Sequence, residues 1–136
     1  MIHVVRAKDG VKFDRIQPAG FAILAAIYAA SQTLDIDLLI TSGTDAHRPP
    51  DPHAEGEAYD VGVASYPPYF VLAVKHFLEE KLGPLFTVIY ESPYPPANEK
   101  LTAIAHVNPR ATAPHLHVQR NKGTVYPPPE VTGRLA

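Results

Sequence analysis

Residues 52–62 read PHAEGEAYDVG, and this stretch decides how the middle of the chain is interpreted. Its first half is polar and contains Gly56, which permits a chain reversal. AYDVG then alternates buried and polar or small residues, as a half-buried strand does. Ala58 and Gly62 share the strand face of Asp60 and leave room above it. The stretch therefore predicts a loop and a strand that bring the imidazole of His53 over the carboxylate of Asp60.

A second informative stretch, residues 113–119, reads APHLHVQ. On a strand, His115 and His117 project from one face, while Leu116 and Val118 face the core. The chain has 7 histidines and no cysteine, so any metal must be held by histidine and carboxylate. Two imidazoles, one carboxylate and an open fourth position match a catalytic zinc site. The alternative is a solvated loop histidine and an exposed strand stripe without a ligand.

Length and composition limit the class of protein. The chain has 136 residues, a formal charge of −2 and a pI near 6.4, which predicts one domain without an electrostatic signature for nucleic acid or anionic membranes. The longest apolar run, FAILAAIYAA at 21–30, is too short to span a bilayer, and the N-terminus lacks a signal-peptide pattern. We expect a cytoplasmic or phage-encoded protein with a core at 14–120 and a proline-rich tail at 126–136.

The periodicity of apolar residues and the turn signals predict two principal helices and several strands. The first helix spans residues 18–33, and the second begins at Ser65 as its cap and ends before Gly83. The strands are predicted at 35–43, 58–64 and 86–92, with hairpins at 1–13 and between 101–107 and 114–119. Because hairpins join several of these strands, the pattern predicts an α+β fold with a mainly antiparallel sheet.

The segment from His53 to Asp60 resembles the HxxGxAxD motif of the zinc D-Ala-D-Ala carboxypeptidases and dipeptidases. It is also similar to the related signalling domain of hedgehog proteins. LLITSG before the loop, the strand ending in Tyr90-Glu91-Ser92 and the His-x-His strand follow in the hedgehog order. The resemblance covers roughly residues 18–120.

The resemblance implies that His53, Asp60 and His117 are the ligands of one zinc ion and that His115 hydrogen-bonds the oxyanion or the substrate. In these families zinc lowers the pKa of its bound water to about 7, and a glutamate acts as general base. That glutamate lies shortly before the last histidine, but residues 108–114, NPRATAP, contain no acid. Glu91 is the best candidate for the base, although an ordinary acid at a strand end would look the same.

The substrate implied by the resemblance is a peptidoglycan stem peptide or a D-amino-acid dipeptide. Related peptidases carry an arginine for the substrate carboxylate in an SGYR segment; here the segment reads SGTD, and Arg48 is the candidate. A second cation such as calcium at Asp45, His47 and Asp51 is not favoured, because too few acids are present. Two alternatives remain open: a non-catalytic zinc-binding domain of the same fold, and a metal-free α+β interaction domain.

Overall fold

The structure is a computed structural model and describes residues 3–45, 51–53 and 55–128. Within these ranges the fold is α+β, as predicted, with three helices and a six-stranded sheet. The elements in chain order are β1 (Val5–Ala7), α1 (Pro18–Thr33), β2 (Leu38–Ser42), β3 (Ala58–Gly62), α2 (Pro68–Leu82), β4 (Phe86–Ser92), α3 (Glu99–Ile104), β5 (Ala105–Val107) and β6 (His115–Arg120).

The sheet is mixed, which corrects the prediction of a mainly antiparallel one. Its strand order is β1-β2-β3-β6-β4-β5. The three central pairings are antiparallel, whereas β1 pairs with β2 and β4 pairs with β5 in parallel. Both parallel pairings lie at the edges of the sheet, and a helix precedes the second strand of each pair, as a parallel connection requires.

The predicted N-terminal hairpin is wrong. A turn does form at Asp9–Gly10, with the Val11 amide donating to the Lys8 carbonyl. The chain after this turn does not return along β1. The Lys12 carbonyl instead accepts a hydrogen bond from the Thr44 amide at 2.9 Å, beyond the end of β2. Lys8 before the turn and Lys12 after it therefore both hydrogen-bond to the β2 segment, Lys8 to Ile40 and Lys12 to Thr44.

The predicted hairpin between 101–107 and 114–119 is also wrong. Residues 99–104 form α3, because Asn98 caps this helix by accepting hydrogen bonds from the amides of Lys100 and Leu101. β5 follows directly and pairs with β4, while β6 inserts between β3 and β4. β5 and β6 are thus separated by β4.

The two long helices are close to their predicted positions. α1 matches the prediction of residues 18–33. α2 starts at Pro68 with Pro67 as its N-cap, so Ser65 is not the cap. Proline suits the first helical position, here Pro68, because it has no amide hydrogen to leave unsatisfied in the first turn. Gly83 ends α2 with a φ of 79°, as predicted for a glycine C-cap.

Within the described ranges, both long helices pack on the same face of the sheet. α1 packs against β3 and β6, and α2 packs against β4. The residues pointing toward the helices are fully or almost fully buried, among them Tyr59, Val61, Leu116 and Val118. Since neighbouring strand residues point to opposite faces, Asp60, His115 and His117 lie on the face that the helices leave uncovered.

Two further predictions concern the C-terminal tail and the lack of a membrane-spanning segment. The start of the tail packs on the molecule: the ring of Tyr126 meets that of Phe86 edge-on, with centroids 5.2 Å apart. Tail residues 129–136 lie outside the described residues. Among the described helices, none is both long and apolar enough to cross a membrane.

Candidate metal centre

Three side chains that are distant in sequence meet on the uncovered face of the sheet. His53 Nε2 lies 3.2 Å from Asp60 Oδ1 and 3.2 Å from His117 Nδ1, and His117 Nδ1 lies 2.9 Å from Asp60 Oδ1. Ligand atoms of a tetrahedral zinc ion, bound at 2.0–2.2 Å, are about 3.4 Å apart. The three atoms therefore need to separate by only a few tenths of an ångström to surround an ion.

In both His53 and His117, the ring nitrogen that points away from the trio, called the outer nitrogen below, faces an oxygen. His53 Nδ1 donates to the Gly43 carbonyl at 3.1 Å, and His117 Nε2 donates to Gln119 Oε1 at 2.7 Å. Holding the proton on the outer nitrogen frees the inner nitrogen to donate its lone pair to a metal. The group of His53, Asp60 and His117 can thus hold a metal ion, and its donor set of two imidazoles and one carboxylate suits zinc.

Asp60 and His117 shift each other's pKa in opposite directions. Burial raises the pKa of Asp60, but hydrogen bonds from His117 and His53 outweigh it and hold the pKa well below its ordinary value of 3.8. Burial lowers the pKa of His117, but its hydrogen bond to Asp60 and the attraction of that charge raise the pKa above its ordinary value of 6.5. A cation bound at this site competes with a proton for Nδ1 of His117.

The loop before β3 places His53. Its side chain is almost fully buried, and its amide donates to Asp51 Oδ1 at 2.8 Å. Gly56, three residues on, has a φ of 74° and packs so closely that a Cβ atom there would lie 2.1 Å from the carbonyl oxygen of Arg15. Only glycine fits this position, so the reversal predicted from the sequence is present and fixes the loop against the start of α1.

Glu91 and His115 form a second polar pair beside the trio. They face each other across the β4–β6 pairing, and Glu91 Oε1 lies 2.9 Å from His115 Nε2. His115 Nδ1 donates to the Ala113 carbonyl at 3.0 Å, which leaves Nε2 facing the carboxyl group of Glu91. His115 Nε2 also lies 3.7 Å from Asp60 Oδ2, which joins this pair to the trio.

A cleft of about 580 Å³ opens next to these residues on the uncovered face. Asp60, Glu91 and His115 line it, and the loop at 108–114 forms one of its walls. Its floor includes Gly62, where a Cβ atom would lie only 2.8 Å from the Thr41 methyl group. A molecule in the cleft can therefore reach both the acid–imidazole pair and the carboxylate of the trio.

The structure brings together most of the residues singled out in the sequence. His53, Asp60, His115, His117 and Glu91 share one site, whereas Arg48 lies outside the described residues, as does His47. His106 lies on β5 with its Nδ1 3.9 Å from Glu91 Oε2, too far for a hydrogen bond.

The two acids that were considered for a second cation, which was not favoured, have local roles. Asp45 Oδ1 accepts hydrogen bonds from the amides of Lys12 and Gly43, and Asp51 Oδ1 accepts from His53. Over the described ranges, the group of His53, Asp60 and His117 is the one arrangement of metal-ligating side chains that meets at a point.

Three residues at the site were not identified from the sequence. Gln119 continues the period of two set by His115 and His117, so strand alternation could have identified it. Lys8 and Arg110 line the cleft, but no local pattern indicates this. Lys8 depends on the unpredicted parallel pairing of β1, and Arg110 lies in a loop that was considered only for its lack of acids.

Comparisons with models of protein families, with curated proteins and with solved structures find no match to this chain, so the inference of its function depends on the site itself.

Proposed function

We propose that this protein is a zinc-dependent peptidase that hydrolyses peptidoglycan stem peptides or D-amino-acid dipeptides, akin to the D-Ala-D-Ala carboxypeptidases. The observation that carries the proposal is the contact of Glu91 with His115 at the edge of the metal-ligating trio. A structural zinc site has four protein ligands, whereas a catalytic site has three ligands and a position for water or substrate. His53, Asp60 and His117 supply three.

When bound, zinc polarises the peptide carbonyl and acidifies a water molecule, so that hydrolysis proceeds near neutral pH. Glu91 is the general base in this proposal: its carboxylate accepts the proton of the attacking water and then delivers it to the leaving amine. Its side chain is 21% exposed and lines the cleft, so water and substrate both reach it.

His115 has two roles in this scheme. Its hydrogen bond to the Ala113 carbonyl fixes the ring, so that Nε2 points at Glu91 and at Asp60. In its protonated form, His115 can release the Nε2–H group from Glu91 and donate it to the negative charge that develops on the carbonyl oxygen of the substrate. Ala111, Ala113 and Pro114 contribute compact side chains to the wall, and this part of the wall suits a short substrate residue such as alanine.

The test compares Glu91→Gln with the wild-type protein, both loaded with one equivalent of zinc. Hydrolysis of muropeptides and of D-Ala-D-Ala is followed by mass spectrometry. We expect the variant to lose roughly 10²–10⁴-fold in kcat because it lacks a base, with its zinc affinity unchanged. Glu80→Gln is the matched control, since its side chain is 74% exposed and is not part of the cleft.

Each outcome decides between the functional alternatives. Equal activity of wild type and Glu91→Gln shows that Glu91 is not the base. Zinc binding without hydrolysis of either substrate supports the non-catalytic zinc domain. If zinc neither binds nor raises the melting temperature, the metal-free interaction domain is the correct interpretation.

A further inference from the structure

The two histidines of the trio are held from outside by different kinds of group. The outer nitrogen of His53 is bound by a backbone carbonyl, that of Gly43. The outer nitrogen of His117 is bound by a side chain, the amide of Gln119. A backbone carbonyl persists whatever the side chain, whereas the support of His117 by Gln119 depends on residue identity.

His117 lies closer to the Asp60 carboxylate than His53 does: its ring nitrogen is 2.9 Å from Oδ1, against 3.2 Å for that of His53. Its Nδ1, rather than its Nε2, faces the centre of the trio, 2.9 Å from Asp60 Oδ1. A carboxylate accepts hydrogen bonds, so Asp60 favours the tautomer with the proton on Nδ1, which cannot bind a metal. An acceptor at Nε2 favours the other tautomer, and Gln119 Oε1 is that acceptor, at 2.7 Å.

We propose that Gln119 is the positioning residue of the metal centre: it keeps the proton of His117 on Nε2 and the lone pair of Nδ1 directed at the metal. This inference rests on the metal-binding part of the proposed function and does not depend on hydrolysis. Comparable partners of ligating histidines elsewhere contribute roughly 10–100-fold to metal affinity.

The backbone around Gln119 is well held. Gln119 pairs with Ala58 on β3 and with Thr87 on β4, so β6 is fixed on both sides at this position. The next residue, Arg120, forms a two-pronged ion pair with Glu57 at 2.7 and 2.8 Å. The register of β6 is therefore fixed at this position, and the side-chain amide of Gln119 is held beside the His117 ring on the same strand face.

The experiment measures zinc affinity by competition with a chromophoric chelator in the full-length protein and its variants. Gln119→Leu removes the acceptor, and we expect it to bind zinc roughly 10–100-fold more weakly. Gln119→Glu restores an acceptor of similar shape and should bind at least as tightly as wild type. Gln17→Leu makes the same chemical change at an exposed residue without a side-chain cap bond and should change nothing.

A second measurement reports the tautomer directly. In a ¹H–¹⁵N spectrum of the zinc-loaded wild type, His117 should show a protonated Nε2 and a metal-bound Nδ1, and this signature should be lost or mixed in Gln119→Leu. Unchanged affinity in Gln119→Leu, failure of Gln119→Glu to restore it, a protonated Nδ1 in the zinc-loaded wild type, or absence of zinc binding by the wild type each overturns the inference. Wild type that binds zinc but cleaves no peptide overturns only the proposed function.

Discussion

Asp60 is the residue on which the whole site depends, because it contacts all three histidines. Its Oδ1 lies within 3.2 Å of His53 and His117, and its Oδ2 lies 3.7 Å from His115. Of the three residues of the trio, Asp60 is also the one that lines the cleft. A single half-buried carboxylate holds the ligands together and borders the space where a substrate would lie.

The shifted pKa values of Asp60 and His117 predict how stability varies with pH. The pKa of Asp60 is lowered, so its contribution is present above about 3.8 and is lost as the pH falls further. The pKa of His117 is raised, so its contribution is present below about 6.5 and is lost as the pH rises through the higher folded value. The pair stabilises the metal-free protein most between these limits.

The measurement is the melting temperature of metal-free wild type minus that of Asp60→Asn across this pH range. The difference should be largest between about pH 4 and pH 6.5 and should shrink as the pH rises through the raised pKa of His117, where that group loses its charge. Zinc reverses the trend, because the metal competes with the proton on Nδ1 and its stabilising effect grows with pH. A difference that does not shrink at any pH above 6.5 contradicts the assignment of the pair.

At this scale the sequence was informative where spacing alone determines direction. His115 and His117 could be assigned to one strand face because strand alternation is a local rule. The contact of Glu91 with His115 required the register of β4 against β6, which no local pattern specifies. The support of His117 by Gln119 follows the same alternation as the histidines, yet its chemical meaning depends on which ring nitrogen faces Asp60.

The loop between β2 and β3 is the element that brings His53 to the strands. Its reversal at Gly56 leaves no space for a side chain, since a Cβ atom would lie 2.1 Å from the carbonyl oxygen of Arg15. The Gly56 carbonyl also accepts a hydrogen bond from the Gln17 amide, just before α1. The position of His53 is therefore coupled to the packing of the first helix.

Gly56→Ala should destabilise the protein and weaken zinc binding together. The left-handed φ costs about 1–2 kcal/mol for alanine, and displacement of the backbone at Arg15 adds to this, giving roughly 2–4 kcal/mol. Gly10→Ala is the matched control, because Gly10 has a φ of 89° but no atom within 4 Å of an added Cβ. Urea unfolding and chelator competition test this; equal effects of the two substitutions would exclude the packing argument.

The elements that were predicted wrongly are those fixed by distant partners. LTAIAHV has alternating apolar residues, but the cap at Asn98 starts a helix in its first half. Only Ala105–Val107 remain as a strand, and β4 supplies their hydrogen bonds. α1, α2 and β4 were predicted well, because a long helical stripe or a strong alternating run carries its own signal.

For the whole molecule, the placement of both long helices on one side of the sheet determines where chemistry can occur. The uncovered face collects the polar residues of β3, β4 and β6, and the loop at 108–114 rises beside them to form the cleft. The sequence predicted the α+β class but not this cleft. The loop that forms the wall follows α3 and β5, and these two elements position it. In the sequence, residues 101–107 were interpreted as one strand of a hairpin.

The cleft also contains two cationic side chains, Lys8 and Arg110, on elements that are far apart in the chain. Peptides that end in a free carboxylate carry a negative charge near their last bond, so these cations suit such a substrate under the proposed function. Both residues are exposed, and an exposed ion pair contributes at most about 1 kcal/mol. Their effect should therefore appear as a modest and salt-dependent change in substrate binding.

Arg110→Gln and Lys8→Gln should each raise KM roughly two- to fivefold with little change in kcat, since neither residue contacts the Glu91–His115 pair. Raising the salt concentration should reduce the difference from wild type, because it screens the lost attraction. Lys122→Gln, at an exposed position away from the cleft, is the control for net charge. A substrate with an amidated C-terminus makes the test specific: if Arg110→Gln weakens its binding as much as that of the free acid, the arginine does not recognise the carboxylate.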